Sequence, residues 1–332
     1  MTIRQVAQAA GVSTATVSRV LNSAPYIAEE TAQAVRRAMA EVQYDPNRRR
    51  RSSKKSAQTQ ELKVGFYVME LNPTGQNPAY ERLLRGVADA AQEYKLDLKF
   101  GFIRTAEQNA VEQLRAGNFD GLILHGLPPN DEESRPIRDI PTVWLLGGRQ
   151  RPGWGDQIMP DNDSIGRIAA GYLLGQGHRD VMYFAYESAW FYKVRVSAFQ
   201  SAIEDAGGQV LSTVRIPSRG DVLRDAAAGY FLEAWNALPK KPTGLFVAED
   251  WLLAPIYAAA AKAGIRIGSD LQVVSCNNDR VRLEGLDPQP ATIDVHFDRA
   301  AYRGVQLLNY RLTSKSFDDR ARILLEPTLV LP

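Results

Sequence analysis

With successive residues about 100° apart around a helix axis, Thr14, Ser18, Asn22, Ala15 and Arg19 share an arc of about 140°, and Val17 and Val20 fall on the other side. A face of small polar groups with one long guanidinium can enter the major groove of DNA. Small side chains permit close approach, and the arginine can bridge O6 and N7 of a guanine. The bland alternative is the solvated face of an ordinary three-helix bundle. Further on, Arg48, Arg49, Arg50 and Arg51 form an unbroken basic run. Such a run can lie along phosphates or enter a narrow A·T-rich minor groove; otherwise it is a solvated linker.

Patterns for other chemistry are missing from the sequence. It has no Walker loop, no Gly-x-Ser-x-Gly elbow and no His-Glu-x-x-His, and Gly147-Gly148 lacks the spacing of a dinucleotide fingerprint. His125, His178 and His296 are too far apart for zinc-ligand spacing, and Cys276, the one cysteine, permits no intramolecular disulfide. The expectation is therefore no enzyme activity, no metal and no cofactor, in a reducing compartment. Residues 1 to 30 do not read as a secretion signal and no run of about 18 apolar residues occurs, so a cytoplasmic, nucleoid-associated protein without membrane contact is expected.

Charge is distributed unevenly. The 332 residues carry a net charge of +2, but residues 1–60 hold ten Lys+Arg against four Asp+Glu, which leaves the rest at −4. A basic head on a mildly acidic body suits polyanion binding at one end and another task at the other.

Three helical patterns position the head. Thr2 to Gln5 fits a capping box, Gly11-Val12-Ser13 a tight break with Ser13 as the next N-cap, and Val35, Met39 and Val42 recur at i, i+4, i+7. Residues 45–61 have almost nothing apolar to bury and read as a linker. Beyond them, β-like runs such as Val64–Met69, Leu98–Ile103, Val181–Phe184 and Gly244–Val247 alternate with helical stretches near 79–94, 163–175, 193–206, 222–237 and 251–263. That alternation implies parallel sheets covered on both faces, and the number of units suits two doubly wound lobes.

The stretch from Thr2 through Asn22 resembles the headpiece signature of the lactose-repressor (LacI/GalR) family of bacterial transcription regulators. Tyr44-Asp45-Pro46-Asn47 resembles its approach to the hinge helix, and Gly177-His178-Arg179, Arg195–Phe199 and Ala291-Thr292-Ile293 stand in the family order. The resemblance spans essentially the whole chain. It implies an α/β fold: a three-helix helix-turn-helix headpiece (1–44), a hinge (45–61), and a two-lobed, periplasmic-binding-protein-like core (62–332). The first lobe is expected over 62–159 and 294–320, the second over 160–293 and 321–332. It implies base reading by Thr14, Ala15 and Arg19, and phosphate contacts from Thr16, Ser18, Asn22 and Thr31, with Asn47 to Arg51 following in the hinge. Truncating Arg19 should then remove sequence discrimination at a cost of about 1–3 kcal/mol. Two departures stand out. Ala28 replaces a helix-capping Ser, and Arg50 and Ser53 replace the hinge Ala and Leu, so no apolar wedge is available for the minor groove.

Effector contacts are expected at the carboxyl ends of core strands. The resemblance assigns Tyr80, Arg195 and Asn277; Asn277 stands where the family usually has Asp, which leaves Arg195 less neutralised and favours an anionic ligand. Glu249 and Asp250 follow a strand end, with helix capping as the alternative for Asp250. Aromatic residues, Trp190 with Tyr186, Phe191 and Tyr192 before the Arg195 helix, and Phe297 farther on, could stack on a sugar or simply be core. The expected function is a DNA-binding regulator, a repressor in this reading, acting as a homodimer on a palindromic operator under a small effector, a sugar or sugar derivative. A sugar-binding module or enzyme with an incidental basic segment is the competing class.

Overall fold

The structure is a computed structural model that describes residues 3–21, 29–41, 61–70, 78–104, 110–147, 153–187, 189–217, 222–314 and 319–332. The chain divides into two units, residues 1–61 and 62–332.

The first unit contains α1 (Ile3–Ala9), α2 (Thr14–Leu21) and α3 (Glu29–Glu41). Between α1 and α2 the backbone passes through a left-handed residue, Gly11 at φ +65°, where the absence of Cβ removes the steric cost. Ser13 Oγ then accepts the Thr16 N–H at 3.1 Å, the N-cap expected from the sequence. Val6, Ala7, Val17, Val35 and Ala38 are buried together, with Ala10, Val12, Val20 and Met39 packed around them. The expected contributions of Thr2, Ala28 and Val42 lie outside the described residues.

The second unit begins with β1 (Lys63–Glu70), α4 (Pro78–Glu93), β2 (Asp97–Arg104), α5 (Ala110–Ala116), β3 (Gly121–Gly126), α6 (Asp131–Ser134), β4 (Thr142–Leu145) and β5 (Asp156–Pro160). The pattern restarts with α7 (Asn162–Gly175), β6 (Asp180–Tyr186), α8 (Trp190–Asp205), β7 (Gln209–Ile216), α9 (Val222–Ala237), β8 (Gly244–Val247), α10 (Leu253–Lys262), β9 (Gln272–Cys276), α11 (Arg280–Leu283) and β10 (Ala291–Asp294). It closes with α12 (Phe297–Thr313), β11 (Arg322–Leu325) and β12 (Thr328–Val330).

Two six-stranded sheets result. The first has the order β11-β5-β4-β3-β1-β2 and is parallel throughout. The second has the order β12-β10-β9-β8-β6-β7 and is parallel except for the antiparallel edge strand β12. Strands buried on both faces explain the continuous apolar runs in the sequence. Phe66, Ile123 and Val143 belong to one core beneath the first sheet, and Met69, Leu122 and Trp144 to the core on its other side. In the second sheet, Val181, Tyr183 and Phe246 face one core, and Met182, Phe184 and Leu245 the other.

The chain crosses between lobes after β5, after β10 and after β11. The last crossing corrects the expected boundary: residues 322–325 pair with Gln157–Pro160 in the first sheet, so the return to the second lobe occurs at β12 instead of residue 321. The pairing is specified by Asp156, which accepts the Ala321 N–H at 2.7 Å.

Candidate nucleic-acid interface and effector cleft

In the headpiece, Thr14, Ala15, Thr16, Ser18 and Arg19 all lie on α2, and Thr31 lies on α3. Val17 and Val20 join the core. Thr14 is exposed, whereas Thr16 is half-buried and its hydroxyl lies 2.9 Å from Ser13 Oγ. Asn22, Asn47, Arg48, Arg49, Arg50 and Arg51 lie outside the described residues.

In the second unit, Arg195 is buried on α8, donating from Nε to Asn162 Oδ1 at 2.9 Å and from Nη1 to the Ala248 carbonyl at 2.9 Å. Its guanidinium lies over the rings of Phe191 at 5.2 Å and Tyr192 at 5.6 Å. These rings stand four and three residues earlier on the same helix, the spacing at which helical side chains meet. α8 therefore starts at Trp190, earlier than the sequence pattern indicates, and the aromatic group forms its first turn. Trp190 Nε1 reaches the Gly147 carbonyl of the first lobe at 3.4 Å.

Glu249 follows β8, half-buried, within hydrogen-bonding range of the Tyr192 hydroxyl; burial, then Glu249, push that hydroxyl well above the usual tyrosine range. Arg195 also feels the Glu249 charge. Glu249 thus offsets part of the negative charge missing at Asn277, which weakens the ground for an anionic ligand.

Asp250 leaves the set of effector contacts. Its side chain caps no helix but points inward, accepting the Asp279 N–H at 2.7 Å and the Thr292 hydroxyl at 3.1 Å. The carboxylate staples the ends of β8, β9 and β10. Cys276 is buried, and burial pushes its thiol up to about 12, which makes it packing, not a nucleophile.

Asn277 has φ +115°, donates its N–H to the Ile293 carbonyl at 2.8 Å and accepts from Arg82 at 2.9 Å. Phe297 opens α12, in contact with the cores of both lobes. Tyr80 starts α4 and donates to Glu70 at the end of β1, its ring edge-on to His125 at 5.9 Å. His125 Nδ1 lies 3.1 Å from the Leu145 carbonyl, which can only accept, so Nδ1 carries a proton.

Glu70, Arg82, His125 and Asn162 join this region without having been expected from the sequence. Glu70 and His125 stand at strand ends and were open to the rule that selected Glu249. Arg82 and Asn162 act through partners distant in sequence and gave no local signal. Among the described residues, no group of His, Cys, Asp and Glu could hold a metal ion, and no helix is long and apolar enough to cross a membrane.

Residues 2–47 match the family described as bacterial regulatory proteins, lacI family, and residues 170–331 match the periplasmic binding protein-like domain. The chain belongs to the LacI family. The HTH-type transcriptional repressor PurR of Edwardsiella ictaluri (strain 93-146) is 29% identical over 340 residues, covering 99% of this chain and 95% of the relative. The ribose operon repressor of Escherichia coli (strain K12) is 25% identical over 339 residues, covering 99% and 98%. Among solved structures, a transcriptional regulator CelR–cellobiose complex superposes with a TM-score of 0.68 at 24% identity, covering 100% of this chain and 98% of the other. The lac repressor dimer bound to operator and the anti-inducer ONPF gives 0.67 at 22%, covering 99% and 97%. These two likenesses establish the fold. This LacI-family protein is a DNA-binding transcriptional regulator with an effector-binding core, not an enzyme.

Proposed function

We propose that this LacI-family regulator is a repressor that binds a palindromic operator as a homodimer and releases or grips it in response to an uncharged sugar held between the lobes. Thr14, Ala15 and Arg19 would read bases, Thr16, Ser18, Asn22 and Thr31 would touch phosphates, and Asn47 and Arg48 to Arg51 would follow the backbone. Tyr80, Trp190, Arg195, Glu249, Asn277 and Phe297 would meet the effector.

The observation that carries this reading is the buried Arg195 guanidinium, held by Asn162 and the Ala248 carbonyl and lying over the rings of Phe191 and Tyr192, with the Glu249 charge near enough to act on it. A guanidinium and a nearby carboxylate offer donors and acceptors to hydroxyl groups, and Trp190 supplies an apolar face. A purine base would use the same rings and belongs in the same test.

A thermal-shift screen of ribose, cellobiose, glucuronate and hypoxanthine separates these options, because a ligand bound only by the native state raises Tm. A shift with a neutral saccharide, abolished in Arg195→Ala, supports the reading. A shift with glucuronate alone, or with hypoxanthine alone, replaces it.

A further inference from the structure

We infer that Arg82, on α4 of the first lobe, is a positioning residue that clasps the β9-end loop of the second lobe and sets how the two lobes meet. Its guanidinium donates through Nη1 to the Asn277 carbonyl at 2.9 Å and through Nη2 to Asp294 Oδ1 at 3.0 Å and Asp298 Oδ1 at 3.2 Å. Its carbon centre lies 5.3 Å from the Phe297 ring. One side chain of the first lobe thus binds the end of β9, the end of β10 and the first turn of α12. Those three segments flank the crossing that returns the chain from the second lobe to the first.

The grip falls where the backbone needs holding. Asn277, Asn278 and His296 have φ of +115°, +53° and +55°, conformations that L-residues adopt at a cost and keep only when their surroundings over-determine them. Asp294 is the hub of that restraint. Besides Arg82 it accepts from Asn278 Nδ2 at 3.0 Å and from the His296 N–H at 2.8 Å. Burial opposes its ionisation, but the bonds from Asn278, the His296 N–H and Arg82 hold its carboxyl below the usual range. His296 Nε2, 3.1 Å from the Thr328 hydroxyl, ties this crossing to the strand that follows the next one. The Arg82 and Asp294 side chains are 23% and 13% exposed, so salt screens this pair less than a surface pair.

A fork is required here. Arg82 serves a carbonyl through Nη1 and two carboxylates through Nη2, with the two nitrogens fixed in one plane, an arrangement that a lysine ammonium cannot reproduce. Because Arg82 contacts the Asn277 carbonyl and the Phe297 ring, its effect on an effector is indirect, through the placement of those two residues. That consequence rests on the proposed cleft; the clasp itself does not.

The test uses the full chain without effector. Spin labels at Glu112→Cys and Gln200→Cys, exposed sites in the two lobes, report the inter-lobe distance, and buried Cys276 stays unlabelled. The distance distribution should broaden in Arg82→Ala and in Arg82→Lys. Amide exchange over 277–279 and 296–300 should quicken at least tenfold, with β1 and β6 unchanged. Asp294→Asn keeps a neutral acceptor and should produce a smaller change of the same kind, which covers the case in which Arg82→Ala does not fold. An unaltered distribution in the folded variants, or exchange that quickens evenly along the chain, overturns the clasp. If a saccharide shifts wild-type Tm, its affinity should fall at least fivefold in Arg82→Lys; absence of any saccharide shift would count against the cleft and leave the distance result standing.

Discussion

Asp250 brings a carboxylate into the interior of the second lobe, where the Asp279 N–H and the Ser275 and Thr292 hydroxyls take the place of a cation. Burial raises its pKa to about 7, and those three donors only partly offset the effect. The sign follows from linkage: between its ordinary range near 4 and about 7 the folded state binds more protons than the unfolded state, so stability falls as pH rises through that window. Asp279, half-buried and raised mainly by burial, acts in the same direction, whereas Asp294, held low, opposes it. Asp250→Asn keeps an acceptor for the Asp279 N–H and removes the charge. Its Tm relative to wild type should therefore improve steadily from pH 5 to pH 8, by an amount corresponding to a few kcal/mol at most. A constant difference across that range would show that Asp250 does not titrate there. The residue scale was also the least legible in the sequence. A carboxylate after a strand end reads equally as a helix cap, a ligand contact or an inward staple, and only the positions of Asp279 and Thr292, far along the chain, decide among them.

At the scale of elements, the two lobes share one device. α12 lies on α4 and α8 lies on α7, and each pair approaches over a glycine. A Cβ at Gly86 would run into the Asp298 carbonyl, and one at Gly166 into the Arg195 carbonyl and the Phe199 nitrogen, so backbone itself would have to yield. Gly86→Ala and Gly166→Ala should each destabilise the core by about 1–3 kcal/mol despite alanine's better helix propensity, as read from urea midpoints. Gly171→Ala, on the same α7 with open space around it, should be neutral or stabilising. Loss of stability in all three would point to a backbone effect instead of packing. Most strands and helices were visible in the sequence because parallel strands are continuous apolar runs. β5 was not, since it opens on Asp156 and Gln157, both buried. Asp156 is tolerated there because Arg311 forks onto it at 2.7 and 2.9 Å, a partner 155 residues away that no local pattern reveals. β11 and β12 were hidden for the opposite reason: they are short, largely exposed edge strands with little periodicity.

At the scale of the whole molecule, the first sheet ends on a strand unlike its neighbours. β2 is largely exposed, with Phe100 37% and Phe102 42% open to solvent, and their rings form a ladder with Phe66 and Tyr80. An exposed apolar edge strand invites pairing, and in the proposed homodimer a second copy would cover it. Phe102→Glu places a charge in that patch and removes only the edge contact with Tyr80 from the first-lobe core. Sedimentation should then show half the mass of the wild-type species, with an unchanged far-UV spectrum. DNA binding links to this result. Two headpieces joined in one dimer present the second to its half-site at a high effective concentration, so a palindrome should lose about 10²–10⁴-fold in affinity when the dimer is broken. A single half-site should lose little, because one headpiece suffices for it. In the proposed reading the Arg48 to Arg51 run would contribute in both states. Its neutralisation should lower the slope of log affinity against log salt by about 0.9 for each phosphate no longer neutralised, in dimer and monomer alike. A Phe102→Glu protein that stays dimeric would move the interface away from β2. One that becomes monomeric yet holds the palindrome as tightly as wild type would show that the two half-sites are not read together.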